Sequence, residues 1–229
     1  MIIPLFSDAD DRQFFSIDVR KVIAEICEIT DMEVRKLLLM PADDIELAAQ
    51  TGTRVIQETG ETATAISRRR IRWVVDPSLH GGVVSIARSQ LRCTLFHELH
   101  HLVRGSAREG RFPRPTLMDA VVSEGLATVF ERDAAGRKSP WSEYPPEVTS
   151  WVKELLRVPP NAPHRSWMFK HTDGRRWIGY RAGVYIVDQA QQKAGLSAAD
   201  LVRASTYEVL NMAGIAEGGL IGGIATPNR

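Results

Sequence analysis

The spacing of apolar residues in the N-terminal third predicts one helix followed by a small sheet. Between Ser16 and Leu39 apolar side chains recur every three or four residues and therefore share one face of a helix. Pro41 follows, and proline does not continue a helix. Between Thr53 and Asp76 the chain changes to short runs rich in β-branched residues, separated by glycine and by an arginine cluster. Such runs are typical of strands, and we expect two or three antiparallel strands here.

The rest of the chain has mainly helical periodicity. Ser89 and Gly105 suit the two caps of one helix, and Thr116 and Gly136 suit the caps of the next. The run GVVSIA at 82–87 is apolar and short enough to be one more strand. Further helices are expected at about 147–158, 178–194, 198–204 and 206–213. The sequence therefore predicts an α+β fold, with a small antiparallel sheet packed against a mostly helical body.

Composition and charge are those of an ordinary globular protein. The 229 residues are 44% hydrophobic and 25% charged, with a net charge of +1, which excludes collagen-like, coiled-coil and disordered classes. Neither this balance nor the arginine cluster, which lacks interleaved aromatic residues, indicates a nucleic-acid partner. We expect a single domain over 1–229, with a helix and sheet at 1–88, two central helices at 89–135 and C-terminal helices at 145–213.

The two cysteines and the N-terminal segment bear on the compartment. Cys27 and Cys93 are too few for a disulfide framework and lie in apolar surroundings typical of buried thiols. The N-terminal segment is acidic and lacks the basic region of a signal peptide, and no apolar run reaches the length of a transmembrane helix. We therefore expect a cytoplasmic protein without membrane attachment. No pattern in the sequence indicates an oligomeric state.

A metal-binding motif lies in the helix after Ser89. His97, Glu98 and His101 form the pattern H-E-x-x-H. Histidines four apart on a helix lie one turn apart on the same side and can bind one ion. Glu98 is about 100° further round the axis, beside the ligands, which suits a general base. Zn²⁺ with three protein ligands lowers the pKa of a bound water to about 7. The alternatives are two surface histidines without metal, or a ligand pair of His97 and His100, which would forfeit the base.

A third ligand is expected from the helix that follows. Glu124 stands in an apolar stretch, where an unpaired carboxylate is costly to bury and a metal would remove that cost. The small residues Gly125 and Ala127 would let this helix approach the histidine helix closely. The alternative is a solvated glutamate on a polar helix face. Glu131, seven residues on, is a spare ligand or a hydrogen-bond partner for a ligating histidine.

These motifs carry a family resemblance. HELHH followed by Glu124 in SEGLA resembles the glutamate-zincin metallopeptidases. The wider pattern of TLFHELHHLVRG, LMDAVVSEGLATVFE, a Pro-Trp loop and WIGYRAGVYIVDQ resembles the DUF2268 family of predicted Zn-dependent proteases, over about residues 60 to 210. The resemblance implies a zincin-like fold and peptidase chemistry. It also implies zinc ligation by His97, His101 and Glu124, with Glu98 as general base.

Peptide hydrolysis also requires a hydrogen-bond donor to the oxyanion and a surface that holds the substrate. Glutamate-zincins often take the donor from a Tyr or His on a later element, and here Tyr180 is the first choice. His171, Arg181 and His164 follow as alternatives. An extended peptide can add to a sheet edge through backbone hydrogen bonds, and GVVSIA at 82–87 is the strand that would receive it.

The function expected from these features is that of a zinc-dependent metallohydrolase, most simply a peptidase. Its partner would be a peptide or unfolded protein, with Zn²⁺ as the cofactor and no organic cofactor. Two other classes stay open. The first is an inactive or regulatory zinc-binding protein on the same fold, although a structural zinc site needs no base and usually has no open position. The second is a hydrolase of non-peptide amides, which uses the same chemistry.

Overall fold

A computed structural model describes residues 1–6, 13–105, 115–159 and 162–215. The chain divides into two compact units, Met1–Arg111 and Phe112–Arg229. The sequence also predicts a proline- and arginine-bearing loop at 108–115 and a glycine-rich C-terminal tail; the tail after residue 215 and all but the last residue of the loop lie outside the described residues. The single domain expected from the sequence stays a prediction.

The first unit contains a mixed four-stranded sheet. Its strands are β1 (Ile2–Phe6), β2 (Ile45–Thr51), β3 (Glu61–Ser67) and β4 (Arg70–Val75), in the spatial order β1-β2-β4-β3. Strands β3 and β4 are antiparallel, as predicted, but β2 is parallel to both β1 and β4. The α+β class and the small sheet are confirmed, and the expectation of an antiparallel sheet is corrected to a mixed one. The physical reason is that a helix connects β1 to β2, and such a crossover joins parallel strands.

The helix between these strands is α1 (Ile17–Val34), close to the helix predicted after Ser16. The Ser16 hydroxyl accepts a hydrogen bond from the backbone N–H of Val19 at 3.4 Å, which caps the first turn. Cys27 is among the residues that α1 buries. Burial and the nearby Asp31 raise the pKa of the Cys27 thiol to about 12, so it is an unreactive core residue.

The histidine helix begins earlier than its predicted cap. Residues Val83–Ile86 form α2, Ala87–Leu91 form a π-helical segment, and Arg92–Arg104 form α3, without interruption. The strand predicted at 82–87 is therefore wrong, because a short apolar run has the same composition in a buried helix as in a strand. Ser89, which was predicted to cap the histidine helix, lies inside the π-helical segment. Gly105 ends α3 in the left-handed conformation, with φ 74°, as predicted.

The second unit is helical in its described part. Its helices are α4 (Leu117–Ala135), α5 (Val148–Leu155), α6 (His164–Met168), α7 (Ile178–Ala194), a 3₁₀ helix (Asp200–Arg203) and α8 (Thr206–Met212). The caps predicted at Thr116 and Gly136 are confirmed, and Thr116 forms a capping box with Asp119. Ser205 forms a second capping box with Glu208 at the start of α8, in the helix predicted at 206–213.

Helices α4 and α7 cross backbone to backbone within the second unit. A Cβ atom on Gly125 would lie 2.4 Å from the carbonyl group of Gly183, and one on Gly183 would lie 2.2 Å from the carbonyl oxygen of Val121. Real side chains do not tolerate such distances, so both positions require glycine. The small size of Gly125, which the sequence suggested for an approach to the histidine helix, is used against α7.

Candidate functional site

Four residues with polar side chains form one stripe along α3. Thr94, His97, Glu98 and His101 stand at i, i+3, i+4 and i+7, which places them on the same side of the helix. His97, Glu98 and His101 are 9%, 7% and 8% exposed. Buried imidazole and carboxylate groups are costly without partners, so this stripe is arranged for polar contacts. The helical context predicted for the motif is confirmed.

The two motif histidines converge at their ring tips. Their Nε2 atoms lie 3.1 Å apart, and the rings meet edge to face with centroids separated by 4.8 Å. Two nitrogens each about 2.0 to 2.1 Å from a tetrahedral zinc are themselves about 3.4 Å apart. The observed separation is close to that value, so the pair fits two ligands of one zinc ion.

His100 was the alternative partner of His97 in a pair of metal ligands, and the structure does not favour this pair. It is completely buried. The ring contact of His97 is with His101, four residues on, as the H-E-x-x-H pattern requires. The pair of His97 and His100, left open by the sequence, is therefore the weaker choice of ligands.

Glu98 is held by the backbone of the neighbouring strand. The N–H of Ala65 on β3 donates a hydrogen bond to Oε2 of Glu98 at 2.7 Å. A hydrogen bond to a carboxylate is stronger than one between neutral groups, and it limits the rotation of the side chain. The arrangement leaves Oε1 as the oxygen that can receive a proton.

Strand β3 contributes to the site, which the sequence alone did not predict. Glu61, Ala63 and Ala65 are buried or half-buried and share one face of β3, whereas Thr64 and Ile66 on the other face are exposed, so the inner face of the strand is small near α3. Small side chains let the helix approach until a glutamate side chain reaches the strand backbone. The alternation in ETATAIS was a readable signal, but nothing in the sequence indicated which helix would lie against it.

The second unit contains the predicted third ligand. Glu124 lies on α4 and is half-buried, next to the buried residues Val122 and Gly125. Glu131, two turns further along α4, is buried.

Tyr180 lies in an aromatic cluster at the start of α7. Its ring centroid is 5.7 Å from those of Trp141 and Trp177 and 6.2 Å from that of Phe169. Trp177, the N-cap of α7, has a left-handed backbone with φ 60°, which is strained for a residue with a bulky side chain. The cluster fixes the first turn of α7 and therefore the position of Tyr180.

The other donor candidates have local partners in the second unit. The ring of His171 stacks on Trp167, with centroids 4.4 Å apart, and its Nδ1 lies 2.9 Å from an oxygen of Asp173. Arg181 donates from Nη2 to the carbonyl oxygen of Pro140 at 3.2 Å. His164 is the first residue of the short helix α6.

In the described part of the chain no helix combines the length and the apolar character needed to cross a membrane.

Comparison with known proteins agrees with the motif. A family model described as a predicted Zn-dependent protease, DUF2268, matches residues 19–211 of the 229-residue chain. No curated protein and no solved structure matches it. The family match begins in α1, earlier than the resemblance read from the motifs, and extends into α8. The chain therefore belongs to the DUF2268 family of predicted Zn-dependent proteases.

Proposed function

We propose that this chain is a zinc-dependent peptidase. Its zinc ligands are Nε2 of His97, Nε2 of His101 and a carboxylate oxygen of Glu124, a set of side chains of the kind that can hold a metal ion. Two imidazoles and one carboxylate are the ligands of many catalytic zinc sites, which keep a fourth position open. The observation that carries the proposal is the convergence of two histidine nitrogens at 3.1 Å, one residue from a glutamate tied to the neighbouring strand.

Glu98 and Tyr180 have separate tasks in this mechanism. When bound, Zn²⁺ polarises the substrate carbonyl and makes water acidic enough to lose a proton near pH 7. Glu98 accepts this proton at Oε1 and then delivers it to the leaving nitrogen, as general bases in hydrolases do. Tyr180 donates a hydrogen bond from its hydroxyl to the carbonyl oxygen as charge develops on it.

The substrate is an extended peptide that lies along β3. This strand is at the edge of the sheet, beyond β4, and Ala65 on it contacts Glu98. An edge strand can bind a further strand through its backbone without reading its sequence. Because the Ala65 N–H donates to Glu98 and the Glu61 carbonyl accepts from the N–H of Ile56, the peptide would pair with the backbone between these two residues. This role replaces the one expected for 82–87, which is helical.

Metal analysis and one isosteric substitution test the proposal. The protein, prepared without chelator, should contain one Zn²⁺ per chain and hydrolyse a pool of denatured proteins. Glu98→Gln should keep the zinc and lose at least a hundredfold in hydrolysis, because an amide cannot accept the proton. The matched control is Glu25→Gln, which changes an exposed glutamate of α1 and should behave as wild type.

The outcomes separate the competing functions. Absence of zinc would remove the proposal. Bound zinc with no hydrolysis by either protein would support a regulatory zinc-binding protein. Hydrolysis of small amides but not of peptides, lost in Glu98→Gln, would indicate a non-peptide amidase.

A further inference from the structure

Glu61 is a buried carboxylate that the proposed mechanism does not use. It is the first residue of β3 and is 4% exposed. Its Oε2 accepts a hydrogen bond from the indole N–H of Trp73 on β4, and its Oε1 accepts one from the hydroxyl of Thr94 on α3. A buried carboxylate is tolerated when its oxygens have donors. Here the donors come from two different elements, so Glu61 connects β3 with both.

This connection is one of two that join β3 to α3, the other being the hydrogen bond from Ala65 to Glu98. Ala65 follows Glu61 by four residues on β3, and Glu98 follows Thr94 by four residues on α3. The contacts between Glu61 and Thr94 and between Ala65 and Glu98 therefore join the same strand to the same helix at two points.

The sheet itself supports β3 on one side. Strand β3 pairs with β4, and the completely buried Trp73 lies on β4. The hydrogen bond from Trp73 to Glu61 fixes the glutamate against the sheet, and the one from Thr94 then fixes the helix against the glutamate. The two hydrogen bonds therefore form a continuous connection from β4 through Glu61 to α3.

We propose that Glu61 is a positioning residue for Glu98. By holding Thr94 and Trp73 together, it keeps α3 at the distance from β3 at which the Ala65 N–H reaches Oε2 of Glu98. Its effect on hydrolysis rests on the proposed function, whereas its effect on the Ala65 hydrogen bond does not.

Amide hydrogen exchange at Ala65 tests the proposal without any activity. Thr94→Val replaces the hydroxyl with a methyl group of the same shape at a half-buried position. We expect exchange at Ala65 to accelerate about tenfold or more, since a hydrogen bond to a charged group is lost. Exchange at Leu47, in the centre of the sheet, should not change. Thr94→Ser restores the hydroxyl and should restore protection at Ala65.

A second variant approaches the same contact from the strand. Glu61→Leu removes the carboxylate and should also accelerate exchange at Ala65 alone. Unchanged exchange at Ala65 in either variant would overturn the proposal. Faster exchange at both Ala65 and Leu47 in both variants would overturn it as well, because Glu61 would then be maintaining the sheet as a whole.

Steady-state kinetics supply an independent readout. In Thr94→Val we expect kcat to fall about tenfold with KM and zinc content unchanged, and Thr94→Ser to recover most of the loss. Thr149→Val, which removes an exposed hydroxyl on α5, is the matched control and should behave as wild type. If wild type hydrolyses nothing, the proposed function fails while the exchange result still decides the role of Glu61. A kcat unchanged in an active enzyme would overturn the positioning role alone.

Discussion

The backbone N–H of Ala65 donates to Oε2 of Glu98 at 2.7 Å, so a strand residue holds the side chain proposed as the general base. The two residues are 33 positions apart in sequence. Because this N–H points at α3, it does not take part in the ladder with β4. The contact therefore couples the edge of the sheet to the motif helix without weakening the sheet.

Removing this donor should impair hydrolysis and spare the fold. Ala65→Pro lacks the N–H, and proline is tolerated in edge strands where the N–H is not part of the ladder. We expect kcat to fall about ten- to a hundredfold while zinc content is unchanged, as measured by steady-state kinetics and metal analysis.

The comparison variant is Thr64→Pro. Alternation along β3 turns the N–H of Thr64 toward β4, so proline there should reduce the sheet signal in circular dichroism. If Ala65→Pro retained full kcat, the hydrogen bond would have no part in positioning Glu98.

The third zinc ligand can be identified by comparing two glutamates of α4. Glu124→Gln replaces a charged ligand by a weak one, and we expect the zinc affinity to fall at least a hundredfold. Glu131→Gln should lower it about tenfold, the lower end of the range for a residue that is at most a partner of a ligand. Competition with a chromophoric chelator measures both affinities. Comparable losses in the two variants would contradict the assignment of Glu124 alone.

The crossing of α4 and α7 should not accept any side chain at Gly125. Gly125→Ala would bring a Cβ to 2.4 Å from the backbone of Gly183, and the helices would have to separate. We expect the free energy of unfolding to fall by about 2 to 3 kcal/mol, the usual range for overpacking. Urea unfolding monitored by tryptophan fluorescence provides the measurement.

Gly136→Ala is the variant with which the loss of stability in Gly125→Ala should be compared. A Cβ at Gly136 meets nothing within 4 Å, but its φ is +71°, so the cost is backbone strain alone. A loss of about 1 kcal/mol is expected there. Equal losses at the two positions would mean that the helices adjust freely to the added methyl group.

A pH-dependent ion cluster stabilises the second unit. Arg175 donates two hydrogen bonds to Glu154, at 2.8 and 2.9 Å, and one to Asp173 at 2.7 Å. These contacts hold the pKa of both carboxyl groups below their ordinary values. A lowered folded-state pKa contributes stability above the unfolded value of about 4, and this stability is lost as the pH falls through the folded value.

The variant Arg175→Gln should therefore be less stable than wild type at pH 7 and closer to it at pH 3. Urea midpoints of the two proteins at both pH values check this. The effect at pH 7 should be small, because the carboxylates are about two-fifths exposed and solvent screens the pairs. A difference that grew as the pH fell would contradict the assignment of the cluster.

Much of the local structure could be predicted from the sequence. The helix after Ser16, the caps at Thr116, Gly105 and Gly136, and the antiparallel pair of β3 and β4 all depend on neighbouring residues alone. The errors arose where an apolar run was too short to show a period. The residues at 82–87 are helical, and β1 and β2 were not recognised because their parallel pairing is determined far along the chain.

Helix α3 also combines features that the sequence predicts with contacts that it does not. H-E-x-x-H places His97 and His101 on one side of α3 and Glu98 beside them, because the pitch of a helix fixes those directions. The motif contains no information on what faces the glutamate. The contacts from Ala65 to Glu98 and from Thr94 to Glu61 join residues 33 positions apart, and the packing of the whole unit decides them.

By itself the sequence determined the family and the place of the motif residues on one helix, since both the motif and helical spacing are local properties. The tertiary structure decided how Glu98 is held: by an edge strand whose Ala65 N–H reaches its carboxylate and whose buried Glu61 accepts a hydrogen bond from Thr94 of the same helix. The sequence could not decide this, because the distance between a strand and a helix results from all the side chains packed between and around them.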